Sequence, residues 1–171
     1  MPTTVIVNTH ADVGRGITYL ETIRQAVQPL GEVDIVLTER ACHAQGLADE
    51  AIQQGCDLLV AAGGDGTINE IVNSMMNSGV EGLKMGIIPI GTGNDFAHSL
   101  GVAQDVPTAV QNIIEGSTRK VDLALLEDDK GRQRYFENNM GVGFDANVIV
   151  RTSMINALHG FPKYLAGVLT A

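Results

Sequence analysis

The first two-thirds of the chain alternates between short, continuously apolar runs and longer segments in which apolar residues recur at helical spacing. The apolar runs predict β-strands at 5–7, 33–38, 57–62 and 85–90. The helical spacing predicts helices at 17–30, 44–54, 67–78, 94–100 and 106–114. Strands that are apolar throughout, with helices between them, predict a parallel α/β sheet that is covered on both faces.

The pattern changes near residue 117, where hairpin-like organisation replaces the alternation of strands and helices. A loosely alternating segment at 119–126 and a strand at 134–139 flank the polar turn 127–131. We expect these residues to form two antiparallel strands. Because two strands alone are marginally stable, they indicate the beginning of a larger β-rich unit.

The last residues, 147–171, are predicted to be largely helical, with Pro162 as an interruption. We therefore assign 1–117 to an α/β domain and 118–171 to the beginning of a second, antiparallel β-rich domain of the sandwich type. Since that second domain lacks most of its strands, we expect the chain to be part of a longer protein.

Composition limits the classes of partner. The 171 residues carry 20 acidic and 11 basic side chains, a net charge of -9, which argues against a nucleic-acid partner because contacts with phosphates dominate such binding. Cys42 and Cys56 show neither metal-ligand nor disulfide spacing. The start has no basic region followed by an apolar run, and no stretch approaches the roughly 20 apolar residues of a membrane span. These features predict a cytoplasmic protein without a transmembrane segment, and an oligomer is compatible with them.

The first chemically informative segment, Gly63-Gly64-Asp65-Gly66-Thr67, lies where the third strand passes into a helix. Its glycines leave backbone N–H groups free of side chains at a helix N-terminus, an arrangement that binds phosphate. Beside bound phosphates, Asp65 would orient Mg²⁺ directly or through water. The structural alternative is a tight turn with an Asp or Thr N-cap, but such a turn needs fewer glycines.

The second informative segment, Gly-Thr-Gly-Asn-Asp-Phe-Ala at 91–97, follows the fourth strand and repeats the order of strand, glycines, carboxylate and helix. In a parallel sheet, two such loops end at the same edge and can face one crevice. Alone, Asn94 or Asp95 would be best explained as a helix N-cap. The pairing with the first segment favours a binding site.

Together the two segments resemble the diacylglycerol kinase catalytic-domain family, which includes bacterial lipid kinases and is related to sphingosine kinases. The resemblance extends to Lys120-Val121-Asp122 and to Phe-Glu-Asn-Asn-Met-Gly-Val-Gly-Phe-Asp-Ala at 136–146, and so covers the whole chain. The combination of both loops is specific, whereas Gly-Gly-Asp-Gly alone also occurs in NAD kinases and in phosphofructokinases.

The resemblance implies that ATP lies in a cleft between an α/β domain and a β-sandwich domain, and that its γ-phosphate is transferred to a lipid hydroxyl. The implied nucleotide contacts are Gly63, Gly64, Asp65, Gly66, Thr67, Asn69, Glu70, Gly91, Thr92 and Asn94. The resemblance also implies a magnesium–water network held by Asp65, Asp95 and Asp122. The family's general base is a carboxylate in a Gly-Asp-Gly-Glu-like segment, which does not occur after residue 146, so we expect it C-terminal to this chain.

One segment departs from the family pattern. Family members have Asn-Pro-x-x-Gly after the first strand, whereas here Thr9 follows Asn8 and the spacing to Gly14 and Gly16 is longer. The altered spacing weakens the assignment of Asn8 and Arg15 as nucleotide contacts, of which we keep Asn8 as a prediction.

The sequence thus predicts an ATP- and Mg²⁺-dependent lipid kinase that phosphorylates diacylglycerol or a related lipid alcohol, peripherally at a membrane surface. One alternative is a kinase of the same superfamily that phosphorylates NAD or a sugar phosphate, against which the second loop argues. The other is a nucleotide-binding module without turnover, which the missing general base keeps open.

Overall fold

Four parallel strands form the central sheet of the structure, a computed structural model that describes residues 1–155 and 160–171. The strands are β1 (Thr3–Val7), β2 (Val33–Leu37), β3 (Leu58–Gly63) and β4 (Lys84–Pro89). Their order in the sheet is β2-β1-β3-β4, and all neighbouring pairs are parallel. The prediction of a parallel α/β sheet is confirmed.

Helices connect the strands and cover the sheet. In chain order they are α1 (Ala11–Gly14), α2 (Leu20–Ala26), α3 (His43–Gln53), α4 (Asp65–Ser78), α5 (Asp95–Ser99) and α6 (Val106–Glu115). Gly79 and Gly116, directly after α4 and α6, adopt the left-handed conformation that ends many helices. Glycine therefore marks the ends of these two helices.

The helix predicted at 17–30 is interrupted at both ends. Short 3-10 helices at Gly16–Tyr19 and Gln28–Leu30 flank α2. Pro29 lies in the second of them, where its missing N–H prevents a regular α-helical hydrogen bond. Apolar spacing alone therefore made the predicted helix too long.

Both faces of the sheet are buried, because a strand sends alternate side chains to opposite sides. On one face, Ile6 of β1 lies in a cluster with Ala48 of α3 and Ile71 of α4. On the other face, Val5 lies in a cluster with Ile23 of α2 and with residues of α6. Val5 and Ile6 have no exposed surface, which explains why the sequence is continuously apolar in this part of β1.

The strand order reverses between β1 and β3. The chain leaves β1 toward β2 on one side and returns to β3 on the other. Such a reversal opens a crevice at the carboxyl ends of the two strands. Asn8 directly follows β1 and Gly64 directly follows β3, so the fold brings two predicted site residues to this crevice.

An antiparallel hairpin follows α6. Its strands are β5 (Ala124–Glu127) and β6 (Gln133–Phe136). The predicted antiparallel pairing is confirmed, although both strands are shorter than the predicted segments 119–126 and 134–139.

A buried amide joins the hairpin to α4. Asn73 is 4% exposed, and its Nδ2 donates to the carbonyl oxygens of Tyr135 (2.9 Å) and Asn69 (2.8 Å). Its Oδ1 accepts a hydrogen bond from the N–H of Tyr135 at 2.9 Å. The side chain of Asn73 therefore satisfies both backbone groups of Tyr135, as a neighbouring strand would.

The chain separates into two compact units, Met1–Asn138 and Asn139–Ala171. The hairpin belongs to the first unit by its contacts. Near residue 117 the pairing of the strands changes from parallel to antiparallel, but the hairpin still makes its contacts within the first unit. The domain boundary proposed there stays a prediction.

The second unit consists of α7 (Phe144–Met154) and α8 (Gly160–Thr170), which pack on one another. The helices approach closely at Gly167, where a Cβ would lie 3.1 Å from Cβ of Thr152 and from the carbonyl oxygen of Val148. Glycine at this position therefore permits the close packing.

The prediction that 147–171 is largely helical holds for the described part, whereas residues 156–159 lie outside the described residues. Pro162 lies within α8, and the described part of this helix continues through it to Thr170. Within the described ranges, no helix combines the length and apolar character needed to cross a membrane.

Replacing Asn73 by alanine is expected to lower the free energy of unfolding by about 1–2 kcal/mol, because the N–H of Tyr135 would lose its partner and the carbonyl oxygen of Tyr135 would keep only Asn69. Asn77 is exposed on the same helix, and Asn77→Ala should be neutral or slightly stabilising since alanine favours helix. Urea denaturation of both variants and the wild type measures the difference. Equal stability of the two variants would contradict the anchoring role of Asn73.

Candidate functional site

The first loop, Gly63–Thr67, carries the chain from β3 into α4. The helix begins at Asp65, two residues earlier than predicted, and no side chain caps it at the extended residue Gly64 (φ -103°, ψ -169°). The N–H groups of Asp65 and Gly66 have no backbone or side-chain acceptor among the described residues, whereas the next two N–H groups donate to the carbonyl oxygen of Gly64. This end of α4 therefore offers free N–H groups and the positive end of the helix dipole to an anion.

The second loop, residues 91–97, is closed by the side chain of Asn94. Its Oδ1 accepts a hydrogen bond from the N–H of Gly91 at 2.9 Å, and its Nδ2 donates to the carbonyl oxygen of Gly91 at 3.0 Å. Asn94 is 7% exposed and left-handed at φ 56°, a conformation that Asn adopts more readily than most residues. Asn94 thus holds the conformation of the loop, and its contact with a nucleotide stays a prediction. Thr92, in the same loop, is exposed, and its contact with a nucleotide also stays a prediction.

The two loops touch through their glycine backbones. A Cβ on Gly91 would overlap Cα of Gly64 and lie 2.6 Å from Oδ1 of Asn94. A Cβ on Gly64 would lie 3.2 Å from Cα of Gly91. Neither glycine has a positive φ, so close approach rather than backbone conformation requires glycine at these two positions.

Asp65 connects the loops through its carboxylate. Oδ2 accepts a hydrogen bond from the N–H of Asp95 at 3.2 Å, and Oδ1 accepts one from the N–H of Phe96 at 2.9 Å. These N–H groups belong to the first turn of α5, whose own N-cap residue provides no side-chain hydrogen bond. Asp65, on the first loop, therefore caps the helix of the second loop.

A cleft of about 560 Å³ opens beside the two loops, within the usual size range of small-molecule sites. The predicted site residues that line it are Asn8, Gly64, Gly66, Thr67, Glu70, Gly91 and Thr92. Those that are not part of the lining, as far as the chain is described, are Gly63, Asp65, Asn69, Asn94, Asp95 and Asp122. The structure therefore brings together residues from the carboxyl ends of β1, β3 and β4 at one cleft.

Asn8 lines the cleft but is held by its neighbours. Its Nδ2 donates to Oγ1 of Thr67 at 2.8 Å, and its Oδ1 accepts from the N–H of His10 at 3.0 Å and the hydroxyl of Thr38 at 3.3 Å. Because Oγ1 of Thr67 accepts from Asn8, the hydroxyl hydrogen of Thr67 stays available to another acceptor. Asn8 therefore orients Thr67, and its direct contact with a nucleotide stays a prediction.

Asn69 and Glu70 both bond to other elements of the fold. Nδ2 of Asn69 donates to the carboxylate of Glu137 at 2.8 Å, and its Oδ1 accepts from the guanidinium of Arg134 at 2.6 Å. Oε2 of Glu70 accepts from the N–H of Gln45, in the first turn of α3, at 3.3 Å. Asn69 thus serves the hairpin and Glu70 serves both α3 and the cleft; their nucleotide contacts stay predictions.

The structure places two of the three aspartates predicted to hold magnesium beside one residue, Gly93. A Cβ placed on Gly93 would lie 3.3 Å from Oδ2 of Asp65 and 3.8 Å from Oδ1 of Asp95, so these two carboxylates are neighbours. Asp122 is exposed in the segment before β5. In residues 1–155 and 160–171, no group of three or more His, Cys, Asp or Glu is arranged to hold a metal ion. The three-residue magnesium network stays a prediction.

The cleft also contains residues that the motifs did not indicate, among them Asp12, Thr38, Arg40 and Cys42. They follow β1 and β2, and the position after a parallel strand was the signal that could have found them. Asp12 forms an ion pair with Arg15 at 2.8 Å. The hydrogen bond from Arg15 to Asp12 raises the pKa of Arg15 above its ordinary value.

A family profile described as the diacylglycerol kinase catalytic domain matches residues 2–126, which include both glycine loops and the strands that carry them. The chain belongs to the diacylglycerol kinase catalytic-domain family. The resemblance inferred from the two loop motifs is therefore confirmed.

Individual relatives of this diacylglycerol kinase family member agree with the assignment. The chain is 34% identical over 148 residues to a probable lipid kinase YegS-like protein of Klebsiella pneumoniae. The alignment covers 84% of this chain and 48% of the relative. It is 38% identical over 138 residues to a diacylglycerol kinase of Staphylococcus epidermidis, covering 80% of this chain and 42% of the relative. The chain thus spans about half the length of these curated relatives, or less.

A solved structure supports the fold of the family member. The crystal structure of a diacylglycerol kinase from Bacillus anthracis superposes with a TM-score of 0.63 at 31% sequence identity. The superposition covers 71% of this chain and 42% of that chain.

Gly91→Ala is expected to destabilise the protein by about 1–3 kcal/mol, because the added methyl group would force the two loops apart. Gly46→Ala is the matched control: Gly46 is exposed in α3, a Cβ there would meet no atom within 4 Å, and alanine should stabilise the helix by about 0.5–1 kcal/mol. Urea denaturation gives both values. Close packing of the loops would be refuted if Gly91→Ala were as stable as Gly46→Ala.

Proposed function

We propose that the chain is the nucleotide-binding part of an ATP-dependent lipid kinase, which transfers the γ-phosphate of ATP to the hydroxyl of diacylglycerol or a related lipid alcohol. The observation that carries this proposal is the uncapped N-terminus of α4 beside a cleft of about 560 Å³. Membership in the family and relatives named as a lipid kinase and a diacylglycerol kinase support the class of reaction.

The first turn of α4 is assigned to the phosphates of ATP. The free N–H groups of Asp65 and Gly66 and the helix dipole attract an anion. The space beside Gly66 is open, since a Cβ there would meet no atom within 4 Å. The hydroxyl of Thr67, oriented by Asn8, is a further donor. Phosphoryl transfer depends mainly on such positioning and on neutralisation of charge.

The donor set beside the first loop fits a magnesium ion that shares its coordination with a nucleotide. Oδ2 of Asp65 accepts one hydrogen bond, and the carboxylate of Asp95 accepts none among the described residues, so both keep lone pairs for the ion or its waters. Mg²⁺ commonly combines one or two carboxylates with water and substrate phosphates. When bound, the ion would neutralise charge on the phosphates.

The acceptor side of the reaction is proposed from the family alone. The two carboxylates that line the cleft, Asp12 and Glu70, are bonded to Arg15 and to the N–H of Gln45. We therefore assign neither of them as the general base. The lipid hydroxyl and contact with a membrane surface follow from the proposed substrate class.

Gly66→Ala is expected to weaken binding of Mg-ATP about ten-fold or more, since its methyl group would occupy the space assigned to phosphate. Stability should not fall, because the methyl group meets no protein atom and alanine favours helix. Isothermal titration calorimetry measures the affinity, and urea denaturation measures the stability. Gly46→Ala, at an exposed position that is not part of the cleft lining, should keep the wild-type affinity. An unchanged affinity of Gly66→Ala would argue against phosphate at α4.

Transfer of label from γ-labelled ATP, with Mg²⁺, to diacylglycerol presented in mixed micelles would support the lipid-kinase proposal and would place the general base within this chain. Gly66→Ala should then reduce the transfer by about ten-fold or more at ATP concentrations below saturation. Transfer to NAD instead of lipid would support a NAD-kinase-like activity. Binding of Mg-ATP without transfer to any acceptor would show that the chain by itself is a nucleotide-binding module.

A further inference from the structure

The carboxylate of Asp65 joins three segments of the chain. Besides the N–H groups of Asp95 and Phe96, it accepts a hydrogen bond from the side chain of Asn138, with 3.3 Å between Nδ2 and Oδ1. Asn138 is partly buried, two residues after β6 and 73 residues from Asp65. It lies outside residues 2–126, which match the family profile.

The position of Asn138 is fixed by the anchoring of the hairpin. Three residues earlier, both backbone groups of Tyr135 are bonded to Asn73 of α4. The carboxylate of Glu137 accepts a further hydrogen bond from the same helix at 2.8 Å. Asn138 therefore reaches Asp65 from a segment that is attached to the helix Asp65 begins.

Asn138 makes the two oxygens of the Asp65 carboxylate unequal. Oδ1 accepts two hydrogen bonds, from Asn138 and from the N–H of Phe96, whereas Oδ2 accepts one, from the N–H of Asp95. A Cβ placed on Gly93 would lie nearest to Oδ2 of Asp65, at 3.3 Å. The same Cβ would lie 3.8 Å from Oδ1 of Asp95. The oxygen with more free lone-pair capacity is therefore the one nearest Gly93, and the carboxylate of Asp95 lies beside the same residue.

We propose that Asn138 is a positioning residue of the nucleotide site: its amide holds Oδ1 of Asp65 so that Oδ2 stays directed toward Asp95 and a nucleoside triphosphate with its divalent cation. This role rests on the function proposed above and names a residue that serves it. A neutral amide suits the position, because it orients the carboxylate without adding a positive charge that would oppose a bound cation.

Four variants test the role of Asn138. Asn138→Ala removes the donor, and Asn138→Asp keeps the shape but puts a second carboxylate against Asp65. Asn139→Ala and Asn139→Asp make the same changes at the next residue, which is exposed and whose side chain has no hydrogen bond among the described residues. Calorimetry measures the affinity for Mg-ATP and for ATP in EDTA.

We expect the Kd for Mg-ATP to rise about ten-fold in Asn138→Ala and further in Asn138→Asp, with changes below about two-fold in the Asn139 variants. The rise should be smaller for ATP in EDTA, because the role concerns the oxygen that faces the cation. A side chain that only fills space would give the opposite order, with the isosteric Asp milder than Ala. Equal losses with and without Mg²⁺, or affinities like those of the Asn139 variants, would overturn the role.

Urea denaturation shows whether each variant is folded. If Asn138→Asp does not fold, the Mg²⁺ dependence of Asn138→Ala decides alone. A wild-type protein that binds no Mg-ATP would overturn the proposed function and with it the role of Asn138. A wild-type protein that binds Mg-ATP, with Asn138 variants that bind it equally well, would overturn only the role of Asn138.

Discussion

The N–H groups of Asp95 and Phe96 donate to the carboxylate of Asp65, and the rest of the candidate site depends on this pairing. Hydrogen bonds to an ionised carboxylate are stronger than those between neutral groups, so they hold α5 against the first turn of α4. The pairing requires that the two loops touch, and Gly64 and Gly91 allow this because a Cβ on Gly91 would overlap the other loop. Asp65 between glycines therefore has a structural role as well as a chemical one. Its carboxylate fixes the second loop, while the N–H groups of Asp65 and Gly66 remain free for an anion.

The sheet and the location of the two loops could be predicted from the sequence because their determinants are local. Continuous apolar runs specify buried parallel strands, and the carboxyl ends of neighbouring parallel strands meet at one edge. Pro29 shows the limit of this approach, since apolar spacing continues across it while its missing N–H ends the regular helix.

The partners of the polar side chains could not be predicted, because they are distant in the sequence. Asn73 bonds to Tyr135 across 62 residues, and Asn8 bonds to Thr67 across 59. A motif match identifies positions such as Asn69, but it does not identify the atoms that the side chain contacts. Thus Asn69 bonds to the hairpin.

The hydrogen-bond donors to the carboxylate of Asp65 are all neutral groups among the described residues. Its partners are two backbone N–H groups and the amide of Asn138. An ammonium or guanidinium group bonded to Asp65 would neutralise the carboxylate and repel a divalent cation at the same oxygen. Neutral donors fix the orientation of the carboxylate and leave its negative charge in place, next to that of Asp95. The free N–H groups at the start of α4 have the opposite preference, for an anion. The carboxylate of Asp65 and the free N–H groups lie within one turn of α4. They therefore provide complementary partners for the two components of the proposed metal–nucleotide complex, the cation and the phosphates.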